Sequence, residues 1–77
     1  AMRQDDAEVV IRRELAAATE KFGRFISAHE GYAVILEEMD ELWLAVKQPP
    51  HAYDIDIVRK EAVQVAAMAL RFLVDVV

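Results

Sequence analysis

Two glycines and two prolines are the only strong punctuation in this chain, and they constrain its fold more than any other feature. Gly23 and Gly31 flank a short irregular stretch, and Pro49-Pro50 interrupts the chain between Lys47 and Tyr53. Three long segments remain, and helical periodicity fits them. In the first, from about Asp6 to Phe22, Ile11, Leu15, Ala18 and Phe22 recur on one face, with Asp5 or Asp6 placed to cap its start. The second runs from about Ala28 to Lys47. Its opening S-A-H-E offers Ser27 as N-cap and Glu30 as the residue that reaches back in a capping box. The third starts near Asp54 or Asp56 and runs almost to Val77. Period-two alternation appears only in YDIDIV, which reads as the start of this helix rather than a strand.

A chain of 77 residues is one small domain, residues 1–77, with no internal repeat or low-complexity segment. With 56% apolar residues, three short helices have too little interior to hide the apolar surface, so self-association is expected. The fold class is therefore all-α: a short antiparallel bundle of about three helices per chain, completed by homo-oligomerisation. The longest apolar stretch, VQVAAMALRFLVDVV, is too short to span a bilayer and is interrupted by Arg71 and Asp75, so no membrane association is expected. No secretory signal is visible, and a cytoplasmic setting is expected. The net charge of −5 argues against nucleic-acid binding, which needs a basic surface to displace counterions. The absence of cysteine excludes disulfides, thiolate catalysis and Cys-based zinc sites, and is compatible with a reducing interior.

The second segment contains LEEMDELWLAVK, which crowds Glu37, Glu38, Asp40 and Glu41 together. On a helical wheel Tyr32, Ile35, Leu36, Met39, Leu42, Trp43 and Val46 form the expected core stripe. Glu30, Glu37 and Glu41 lie opposite, Glu38 lies at their edge, and Asp40 points elsewhere. Glu37 and Glu41 are four apart and Glu38 and Glu41 three apart, so like charges repel with no basic residue among them. A solvated acidic face is the plain reading of such a run. Val34, Leu44 and Ala45 share the acidic side, however, and suggest a second buried surface beside it. In the third helix Glu61 falls between Ile57, Val65, Met68 and Phe72 in an apolar stripe. A carboxylate there must be paired, protonated or metal-bound; Arg12, Arg13 or Lys60 are the available partners. Gln64 follows one turn later and points the same way. Oxygen ligands on facing helices are what a hard divalent cation such as Mg²⁺ requires.

The order of these motifs, E-E-x-x-E as Glu37-Glu38-Met39-Asp40-Glu41 and then Glu61-Ala62-Val63-Gln64, resembles the MazG-like all-α nucleoside triphosphate pyrophosphohydrolases. The resemblance covers roughly residues 25 to 74. It implies Mg²⁺-dependent (or Mn²⁺-dependent) hydrolysis of a nucleoside triphosphate to monophosphate and pyrophosphate, in a homodimer or homotetramer. Carried over by position, Glu38, Glu41 and Glu61 are metal ligands, with Gln64 at the fourth metal position, and Glu37 shares the metal or orients the attacking water. The family pattern has aspartate where this chain has Gln64, whose carbonyl oxygen can coordinate a cation but adds no negative charge. Lys47, Lys60 and Arg71 are placed to reach phosphates, with surface ion pairs as the plainer reading; Phe22, Phe25 and Tyr32 are candidate walls of a base pocket. The alternatives are a non-catalytic helical oligomerisation module that kept the fold, and a purely structural acidic helical protein. His29 and His51 form no metal-ligand pair, the only serine (Ser27) is a cap, and no glycine-rich phosphate loop exists.

Overall fold

A computed structural model describes residues 1–77 as three α-helices and no strand: α1 (Gln4–Phe22), α2 (Ala28–Val46) and α3 (Ile55–Asp75). The helix starts follow local chemistry. Ser27 Oγ accepts from the Glu30 amide at 3.1 Å, and Glu30 Oε1 accepts from the Ile26 amide at 3.0 Å, so the expected capping box closes one residue further upstream. Asp54 caps α3 by accepting from the Asp56 amide at 2.9 Å. At α1 the expectation fails: Arg3 occupies the cap position without a side-chain bond, and Asp5 and Asp6 lie inside the first turn. There they favour the positive end of the helix dipole instead of capping an amide. Gly23 ends α1 with φ 73° and ψ −161°, a region essentially reserved for glycine.

The α2–α3 connection turns back at Pro49, whose carbonyl accepts from the amides of Ala52 (2.8 Å) and Tyr53 (2.9 Å). α2 then runs antiparallel to α3, and the start of α2 is tied to the end of α3. The Phe25 amide donates to Asp75 Oδ2 at 2.9 Å, and Arg71 Nη2 donates to the Gly23 carbonyl at 2.6 Å. The Arg71 guanidinium stacks 3.9 Å from the Phe25 ring centroid and lies 3.7 Å from Asp75, which makes its nearly complete burial tolerable. α1 and α2 each pack on α3 but not on each other. The core is correspondingly thin: Ala18, Phe25, Ala67 and Met68, with Ile11, Val34, Ile35, Phe72 and Val76 against it. No helix is long and apolar enough to cross a membrane.

The face of α2 that meets α3 is not the expected stripe. Gly31 and Ala45 are buried and Val34, Ile35, Glu38 and Leu42 half-buried, whereas Tyr32 and Trp43 are each 60% exposed and Leu36, Met39 and Val46 are also exposed. The apolar arc of α2 is wider than one partner helix can cover. α3 takes the edge bearing the small residues Gly31 and Ala45, where the backbones can approach. That choice rotates Glu38 inward and leaves the bulky stripe outside. Gly31 is needed for the approach, because a Cβ there would lie 2.5 Å from Phe72 Cδ2 and 3.2 Å from Phe25 Cδ2. Gly31→Ala gains about 1 kcal/mol of helix propensity but overpacks the contact by about 1–3 kcal/mol. The expected net result is a melting temperature lower by about 4–8 °C; a rise would show that Phe72 moves aside freely.

Candidate metal centre

The rotation of α2 brings its acidic edge onto α3. Carboxylate oxygens of Glu38, Glu41 and Glu61 lie within 4.8 Å of one another. Glu38 and Glu61 are half-buried and Glu41 is exposed, so the cluster spans from the helix interface to solvent. Glu61 forms no ion pair: the basic partners open to it on sequence grounds, Arg12, Arg13 and Lys60, do not bridge to it, and the ion pairs formed are Arg24–Asp75, Arg59–Asp56 and Arg71–Asp75. Glu38 Oε2 and Glu61 Oε2 are each buried without a hydrogen-bond partner. A buried carboxylate oxygen without a donor is a high-energy arrangement.

The electrostatics of the cluster follow from this crowding. Burial, then the neighbouring Glu41 carboxylate, with smaller repulsion from Glu61 and Glu37, pushes the Glu38 carboxyl from its ordinary 4.5 up to about 7. Glu61 is pushed up as well, by burial first and Glu41 second, with Lys60 opposing. Two lone buried oxygens, three converging carboxylates and no compensating cation fit a divalent ion held by oxygen ligands. Its positive charge would remove both the repulsion and the orphaned lone pairs.

A cavity of about 430 Å³ opens beside the cluster, in the groove between α1 and α2 above α3. Glu37 and Glu38 form one part of its wall, Gln64, Met68 and Arg71 its floor, and Glu14, Ala18, Phe22 and Phe25 the far side. The site residues expected from sequence therefore separate into groups. Glu38, Glu41 and Glu61 come together; Glu37 and Gln64 face the adjoining cavity; Phe25 is a buried part of its wall. Lys60 acts on Glu61 through its charge. Lys47 does not line the cavity, and its ammonium lies 5.9 Å from the Trp43 ring centroid. Asp40, His29 and His51 are exposed and outside the cavity. Arg71, read as a surface cation, is instead buried and is the single basic residue on the cavity wall. Its signal was the wheel of α3, where Glu61, Gln64, Arg71 and Asp75 share one side.

No protein-family model, curated protein or solved structure matches this chain. The functional reading therefore rests on the residues of the site.

Proposed function

We propose that the protein is a divalent-cation-dependent nucleoside triphosphate pyrophosphohydrolase, cleaving between the α- and β-phosphates to release a nucleoside monophosphate and pyrophosphate. The observation that carries this reading is the Glu38–Glu41–Glu61 cluster with its two orphaned buried oxygens, set at the edge of a cavity of nucleotide scale. Glu38, Glu41 and Glu61 would hold Mg²⁺ or Mn²⁺, with Gln64 one turn from Glu61 as a neutral oxygen donor. When bound, the cation supplies charge neutralisation for the phosphates and acidifies water for attack at phosphorus.

The chain's own groups account for the rest. Glu37, exposed on the cavity wall, accepts a hydrogen bond from the attacking water and orients it. Arg71 gives the cavity its one positive wall, opposite carboxylates Glu14, Glu30, Glu37 and Glu38. That excess of negative charge would repel a bare triphosphate and favour one whose charge a divalent cation has already reduced. Phe22, exposed on the cavity wall, offers aromatic surface to the base.

Screening nucleoside triphosphates for pyrophosphate release, with Mg²⁺, Mn²⁺ or EDTA, tests the reading directly. Turnover of at least one nucleotide with either ion, and none in EDTA, is expected. Absence of both hydrolysis and calorimetric Mg²⁺ or Mn²⁺ binding would refute it. Gln64 supports a second reading, a helical oligomerisation module that kept the fold without catalysis, because it lowers the negative charge of the site. Gln64→Asp separates the two. In the enzyme it should raise cation affinity about tenfold or more, since a charged oxygen replaces a neutral one beside Glu61; in the module it should leave the protein without turnover.

A further inference from the structure

We infer, resting on the nucleotide reading proposed above, that Glu14 reads the base and that the substrate is a guanine nucleotide. The N1–H and the 2-amino group of the base donate to the two oxygens of the Glu14 carboxylate.

Glu14 lies on the α1 wall of the cavity, whereas Glu37 and Glu38 line it from α2. It is half-buried, yet it takes part in no ion pair and no side-chain hydrogen bond. The residues one turn to either side of it, Val10, Ile11, Ala17 and Ala18, have no polar side chain, so its own helix offers no partner. Arg71, the one cation on the cavity wall, is engaged by the Gly23 carbonyl and by Asp75. Glu14 also stands apart from Glu37, Glu41 and Glu61, the carboxylates whose charges act on Glu38. It is an acceptor facing the cavity from outside the metal cluster, with no protein donor bonded to it.

The surroundings suit a flat, extended base. Glu14, Ala18 and Phe22 recur at i, i+4 and i+8 on one face of α1, and all three line the cavity. Ala18 is small and buried, which leaves a slot between the carboxylate and the exposed Phe22 ring, with the buried Met68 on the same cavity wall. At a rise of about 1.5 Å per residue the two ends of the slot are about 12 Å apart along the helix, room for a purine and the hydrogen bonds at its edge. The identity of the base follows from acceptor chemistry. An ionised carboxylate accepts and never donates. Its two oxygens match two adjacent donors, and among the common bases guanine alone presents such a pair on its Watson–Crick edge. Adenine and cytosine set their amino group beside a ring nitrogen that accepts, and uracil and thymine flank one N–H with two carbonyls. Each of these brings a lone pair against the second carboxylate oxygen, which costs more than a contact that is merely missing.

Inosine triphosphate differs from GTP only in lacking the 2-amino group, so the two nucleotides isolate the contact. With Mg²⁺ or Mn²⁺, kcat/KM for pyrophosphate release from GTP should exceed that from inosine triphosphate by about tenfold or more, with ATP, CTP and UTP also below GTP. Glu14→Gln turns one acceptor into a donor and suits an N–H beside a carbonyl, a pair that both guanine and hypoxanthine offer. The ratio should then fall close to unity. Both nucleotides are compared on one protein, so any change in stability cancels. A wild-type ratio close to unity, or a ratio that Glu14→Gln leaves as it was, would overturn the role of Glu14 while the hydrolase stands. If neither nucleotide is turned over, calorimetric affinities with Mg²⁺ give the same ratio without chemistry. A guanine preference that Glu14→Gln removes would then uphold the base contact in a protein that is no hydrolase; equal affinities, or binding of neither nucleotide, would overturn it.

Discussion

Glu61→Gln should abolish pyrophosphate release while making the metal-free protein more stable. The two effects have one cause. Glu61 places a carboxylate oxygen in the α2–α3 interface with no donor and no ion pair, facing Glu38 and Glu41. Replacing it with an isosteric neutral amide removes the charge repulsion and about 1 kcal/mol or more of desolvation cost. For a domain of this size the metal-free melting temperature should rise by about 4–8 °C. The same change removes a charged ligand, and because even groups behind the ligands are worth about 10–100-fold, cation affinity and turnover should fall at least about 100-fold. Glu38→Gln and Glu41→Gln should follow the same pattern, with a smaller stability gain for the exposed Glu41. Asp40→Asn, on the same helix but outside the cluster, should change neither. Calorimetric Mg²⁺ titration, a pyrophosphate assay and thermal melts in EDTA read all three quantities. A Glu61→Gln protein that melts lower and turns over normally would make Glu61 a structural residue and remove the basis for the enzyme.

The three helices were legible because their boundaries are set by local chemistry: Ser27 and Asp54 cap, Gly23 and the Pro49-Pro50 turn break. The α1 start was less legible, since several acidic residues near it could cap and none does. The carboxylates of the site were legible through their spacing and through Glu61 in an apolar stripe. The orientation of α2 was not. Its apolar arc offers two possible contact faces, one bulky (Leu36, Met39, Trp43) and one small (Gly31, Ala45). Burial alone favours the bulky one. Backbone approach to α3 against Phe72 and Phe25 selects the small one, and that is a tertiary condition a single-helix wheel does not contain. The burial of Arg71, named on sequence grounds as a cation that could reach phosphates, was not legible for a similar reason. Its partners, the Gly23 carbonyl and the Phe25 ring, come from a connection distant in sequence.

The rotation has a consequence for stability that pH and Mg²⁺ together expose. Glu38 titrates near 7 in the folded chain against 4.5 when free of its neighbours, so between these values the folded state binds more protons than the unfolded one. Stability contributed by this group is complete below about pH 4.5 and is lost as pH rises through 7. At 1.36 kcal/mol per unit the ceiling is about 3 kcal/mol, and partial access of water to the cluster reduces this to about 1–2 kcal/mol. Metal-free protein should therefore melt about 5–10 °C lower at pH 8 than at pH 5 through this group. Glu61, whose carboxyl is also pushed up by burial and by Glu41 with Lys60 opposing, adds in the same direction. Mg²⁺ should reverse the slope, because cation and proton compete for the same oxygens. At a hundred times its dissociation constant the ion adds about 2.7 kcal/mol at pH 8. At pH 5, where Glu38 is protonated, it should add little. Glu38→Gln should flatten the slope in EDTA and remove most of the Mg²⁺ effect at pH 8, which separates the cluster from the general response of an acidic chain. Melting temperatures in EDTA that do not change between pH 5 and pH 8, or an Mg²⁺ shift of equal size at both, would mean that these carboxylates are an ordinary solvated face.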